Sequence, residues 1–110
     1  MTKLALNHTE ISELHHFIQS VNPKKLRMPE TIREDVHTAI VSIEKKLDKS
    51  LKSKSKSKRK LAFDDFMFLA ISIIVQQTEK SVFLQHVFNR FIINMPTTAI
   101  ELLNNKSLLN

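Results

Sequence analysis

Apolar residues recur along this chain at the three- and four-residue spacing of a helix face, interrupted at a few clear points. Ile11, Leu14, Phe17, Ile18 and Val21 form one such stripe. It is preceded by Asn7, a good N-cap, with Glu10 three residues on in the capping-box position and Leu6 and Ile11 placed as a hydrophobic staple. Asn22-Pro23 ends this first predicted helix. Pro29 then suits a first helical turn, and Ile32, Val36, Ala39, Ile40, Ile43 and Leu47 predict a second helix from about Pro29 to Asp48. A third, from about Asp64 to Thr78, is apolar nearly all round and so predicts a central, buried helix. A fourth, Ser81 to Asn94, carries Leu84, Val87, Phe88, Phe91 and Met95, broadened by Val82, Phe83 and Ile92. Met95-Pro96 closes it, and Thr97 or Thr98 can cap a short last helix through Leu103.

The pattern predicts an all-α fold: four to five antiparallel helices in one small bundle forming a single domain over residues 1–110. One internal echo qualifies this. Lys3-Leu4-Ala5-Leu6-Asn7 recurs as Lys60-Leu61-Ala62-Phe63-Asp64, each an extended entry followed by an N-cap. Phe63 and Phe68 repeat the staple of Leu6 and Ile11. Segments 3–6 and 60–63 are therefore candidates for a minor two-residue β-bridge.

Composition narrows the chemistry. The chain has no Gly, which excludes phosphate-cradling P-loops, the GxGxxG dinucleotide turn and Asn-Gly hairpins. With no Cys, thiolate zinc sites, disulfides and cysteine nucleophiles are excluded. The Glu-x-x-His spacings Glu13/His16 and Glu34/His37 lie off the apolar stripes and read as solvated helix polars, and His86 as a partly buried packing residue. Asp64-Asp65 reads as a helix cap rather than a carboxylate pair. No nucleophile is set beside a base, so the chain is expected not to be an enzyme, to need no cofactor or metal, and to take no small-molecule substrate. The longest apolar run, Phe66 to Val75, is too short to span a membrane, and the first residues lack the apolar core of a signal peptide, so a cytoplasmic protein is expected, nuclear only in a eukaryotic or viral setting.

The net charge of +6 is concentrated. Lys49, Lys52, Lys54, Lys56, Lys58, Arg59 and Lys60 lie in one twelve-residue Lys/Ser segment with no acidic residue, leaving the remaining chain near neutral. Such a segment predicts a disordered loop, residues 49–60, between the second and third helices.

Two functional readings follow. The first is a non-catalytic protein-interaction module of regulatory, adaptor, inhibitor or immunity type, acting on another protein or a second copy of itself. Its candidate interface is the Phe-rich third and fourth helices, through Phe83, Phe88 and Phe91. The second is a nucleic-acid-associated protein in which Lys52, Lys54, Lys56, Lys58, Arg59 and Lys60 contact phosphates without sequence preference. The absence of Tyr and Trp removes the usual base-stacking platforms of single-strand binders.

Overall fold

The fold is given by a computed structural model that describes residues 1–53 and 58–104. The described residues are mostly helical, with five α-helices and one two-stranded sheet among them. In chain order the elements are β1 (Thr2–Leu6), α1 (His8–Ser20), a 3-10 turn (Pro23–Lys25), α2 (Glu30–Leu51), β2 (Arg59–Phe63), α3 (Asp65–Gln77), α4 (Val82–Ile93) and α5 (Thr97–Asn104).

Local chemistry sets the helix starts. The Asn7 side chain accepts from the Glu10 amide at 2.8 Å, and the Glu10 carboxylate accepts from the Asn7 amide at 2.8 Å, a complete capping box. The Asp64 carboxylate accepts from the Met67 amide at 2.9 Å, and the Ser81 hydroxyl from the Leu84 amide at 3.2 Å. These bonds satisfy amides that the first turn of a helix leaves without partners.

The expected minor bridge is a full antiparallel ladder. Five residue pairs join β1 to β2: Thr2 with Phe63, Lys3 with Ala62, Leu4 with Leu61, Ala5 with Lys60 and Leu6 with Arg59. Its length has a packing cause. Leu4, Leu6 and Phe63 are buried, so alternation along each strand fastens one face of the ribbon to the core.

The basic segment is also shorter as a loop than expected. Its first three residues continue α2 to Leu51, and Arg59 and Lys60 open β2. The physical reason lies at Ser50, which is buried, and whose carbonyl and hydroxyl oxygens accept from Arg59 Nη1, the hydroxyl at 3.1 Å. That contact ties the end of α2 to the start of β2. Residues 54–57 of the disordered loop expected over 49–60 lie outside the described residues.

The buried apolar side chains form one cluster drawn from both strands and all five helices. Phe63, Phe68 and Phe91 meet edge to face, with centroids 6.1, 4.9 and 5.9 Å apart, and Phe17 meets Phe88 at 5.5 Å. Such pairs add about 0.5–1.5 kcal/mol each beyond the area they bury. Phe88 and Phe91 are each 1% exposed and belong to this core, a correction to their expected role on a partner surface. The stripe they share with Leu84 and Val87 faces inward because α4 packs on both α1 and α3. His86, expected to be partly buried, is exposed.

The two halves share one plan. Thr2, Asn7, His8 and Ser20 mark the strand start, the cap and the ends of the first helix; Arg59, Asp64, Asp65 and Gln77 mark the same points 57 positions on. Both α1 and α3 contact both α2 and α4. The ladder obeys the same symmetry, since exchanging the halves maps the Leu4–Leu61 pair onto itself and the Lys3–Ala62 pair onto Lys60–Ala5.

Candidate nucleic-acid interface

Because successive side chains on a strand point to opposite faces, burying Leu4, Leu6 and Phe63 sends their neighbours outward. Lys3, Ala5 and Lys60 are exposed and Ala62 is half-buried, so the outer face of the ribbon presents Lys3, Ala5, Lys60 and Ala62. By the register, each lysine stands opposite an alanine: Lys3 across from Ala62 and Lys60 across from Ala5. The small alanines leave the two lysines as the longest side chains on this face.

The ribbon is held firmly from behind. Arg90 on α4 donates from Nη1 to the Ala5 carbonyl at 2.9 Å and pairs with the half-buried Glu10 of the α1 capping box. One guanidinium thus joins α4 to both β1 and the start of α1. The ion pairs among the described residues join Arg33 to Glu30, Lys52 to Asp48 and Arg90 to Glu10. None uses Lys3, Lys58 or Lys60, whose charges face solvent without a carboxylate partner.

The six expected phosphate contacts are therefore in different situations. Lys58 and Lys60 are exposed, Lys60 on the outer ribbon face. Lys52 is exposed and pairs with Asp48 at 3.1 Å, an i,i+4 surface pair. Arg59 is half-buried on the inner side of β2, bonded to Ser50, and serves the fold rather than a mobile arm. Lys54 and Lys56 lie outside the described residues. Lys3, Ala5 and Ala62 were not singled out as site residues by sequence reasoning. Their signal was the Lys-Leu-Ala echo, whose spacing puts Lys and Ala on one face and Leu on the other once both copies are strands.

Two further features bear on function. Phe83 is 42% exposed, and Val82, Ile92 and Ile93 on the same helix are 76, 46 and 79% exposed, two apolar pairs at opposite ends of α4 with the exposed Gln85, His86 and Asn89 between them. A hollow of about 380 Å³ lies where the ends of α1 and α3 approach the 3-10 turn, lined by Phe17, Val21 and Leu26 with Lys25, Thr78 and Glu79. Beside it the Gln77 amide bonds both ways with the Arg27 backbone, at 2.7 and 2.8 Å. Among the described residues no group of three or more His, Asp or Glu is placed to hold a metal ion, and no helix is long and apolar enough to cross a membrane. Glu13, His16 and Glu34 are exposed, while the His37 ring contacts the Pro23 carbonyl at 3.2 Å.

Comparison of the chain with protein-family models, with curated proteins and with solved structures finds no match.

Proposed function

We propose that this protein binds double-stranded DNA, with the outer face of the β1–β2 ribbon as its contact surface. The observation that carries the reading is the pair of exposed lysines, Lys3 and Lys60, on the outer face of a two-stranded ribbon, with no carboxylate partner among the described residues. The major groove of B-form DNA admits a two-stranded ribbon, and its base edges offer acceptors to ammonium donors. The basic segment leads directly into this ribbon through Lys58 and supplies further phosphate contacts. A ribbon fits the A-form groove of double-stranded RNA poorly, because that groove is deep and narrow.

The test is binding of a labelled duplex at low salt, followed by titration with salt. Five to seven neutralised phosphates correspond to a slope of log K against log salt of roughly −4 to −6. Replacing Lys3, Lys58 and Lys60 together by Gln should cut affinity at least tenfold without lowering the melting temperature. Absence of binding at low salt, or affinity indifferent to that triple replacement, overturns the reading.

A protein-interaction role is the second reading, now resting on Val82, Phe83, Ile92 and Ile93 rather than on Phe88 and Phe91. It predicts a mass that rises with concentration and falls back when Ile93 is replaced by Glu.

A further inference from the structure

We infer that the DNA sequence this protein prefers is a short inverted repeat, read by one copy of the chain, with its centre beneath the Leu4–Leu61 pair. The inference rests on the DNA-binding reading above and adds to it the kind of sequence bound. Symmetry makes the first step. The antiparallel ladder has a local twofold relation about Leu4 and Leu61, normal to the ribbon. Duplex DNA has twofold axes of its own, normal to its length, and a symmetric reader laid on one of them meets the same base edges in both directions only at an inverted repeat. For this reason the symmetry of two-subunit DNA-binding proteins is mirrored in their sites.

The residues meet the second condition, since symmetry of backbone without symmetry of chemistry would read nothing palindromic. The outward positions related by the twofold carry identical side chains: Lys3 corresponds to Lys60, and Ala5 to Ala62. The divergent positions of the repeat, Leu6 against Phe63 and Thr2 against Arg59, lie on the inner side of the ribbon, away from the groove. Every related pair on the outer face is identical, whereas on the inner face only Leu4 and Leu61 are. Lysine donates to the O6 and N7 acceptors of guanine, and the alanine methyl suits the thymine methyl. Lys3 and Ala62 stand on one side of the centre and Lys60 and Ala5 on the other, the two sides about 6.7 Å apart along the strands, close to two base-pair steps at about 3.4 Å. Each arm of the repeat therefore carries a G and a T within a few base pairs of its centre.

The symmetry ends at the edge of the ribbon. The next outward position of β2 is Lys58, and its counterpart across the twofold is Met1. Beyond the ribbon the two arms therefore carry different side chains.

The experiment is selection from a randomised duplex pool with the full chain, with affinity for an unselected duplex measured alongside at the same low salt. The inference expects enrichment of inverted repeats, one chain per site, and a preference for the selected duplex of tenfold or more. Lys3→Ala should relax the selection at one arm and Lys60→Ala at the other, each lowering affinity for the selected site about 5- to 100-fold. Binding to the unselected duplex with no enrichment, enrichment of sequences without inverted symmetry, or an equal loss on all sequences from both variants overturns the inference while leaving DNA binding in place. No binding to either duplex overturns the functional reading itself. Unchanged circular dichroism and melting of both variants show that the loss is at the contact surface and not in the fold.

Discussion

Helices α1 and α3 have the same length and the same place after their strands, yet they live in different surroundings. In α1 only Ile11, Leu14 and Ile18 are buried, while α3 buries every residue from Met67 to Ile74. At matched positions Ser12 and His16 of α1 face water where Leu69 and Ile73 of α3 are fully buried. The difference is what covers them. The outer side of α3 is packed by α5, whose Ala99 is fully buried and whose Leu102 and Leu103 lean on the core. Among the described residues α1 has no such cover. Backbone symmetry is thus set by strand pairing and caps, and side-chain asymmetry by one added helix.

The largest test of that contrast is a matched exchange. Leu69→Ser places a polar group in the core and leaves a void, and should cost about 3–5 kcal/mol in denaturant melts. Its mirror, Ser12→Leu, should change stability by no more than about 0.5 kcal/mol. Equal costs would mean that the halves are not unequal in the way described. A smaller effect is expected where α5 sits on α3: Ala99→Leu overfills a closed contact and should cost about 1–3 kcal/mol, with far-ultraviolet signal retained. The caps come next. Asn7→Ala and Asp64→Ala should each cost about 1 kcal/mol, since each removes the side-chain acceptor of one first-turn amide, while the Asn7 amide stays bonded to Glu10. A negligible cost at either position would show that its cap contributes little. Least of all, Lys3→Gln and Lys60→Gln should alter stability by under about 0.5 kcal/mol, a shift of only a few degrees in Tm.

Much of this was legible in the residues because the cues are local. Asn7 and Asp64 cap the helices they were expected to cap, and the Phe63–Phe68 staple forms with centroids 6.1 Å apart. Local cues could not fix what depends on distant partners. The echo marked the strands, but their pairing over five residues depends on Leu4, Leu6 and Phe63 finding one core, which no short window reveals. Ser50 reads as solvated among lysines and is buried only because Arg59 meets it. On α4 the apolar stripe was plain, but whether Phe88 and Phe91 faced a core or a partner turned on α1 and α3 closing over them. The candidate site was half visible. Lys58 and Lys60 stood out by charge density, whereas Lys3, Ala5 and Ala62 gained meaning only once the ladder put them on one surface.

The ladder also dictates an order of events when the chain is made. Its pairs lie between 53 positions apart, Leu6 with Arg59, and 61 apart, Thr2 with Phe63, so the sheet closes a loop of about half the chain's length. Contacts so distant in sequence slow folding. During synthesis at about 5–20 residues per second, β1 waits roughly 3–12 s for β2. Throughout that interval its apolar edge is open, and by the same symmetry it matches the β1 of a neighbouring nascent chain. A crowded polysome is therefore where exchange of strands between copies is most to be expected, and fast synthesis of the middle of the chain protects against it.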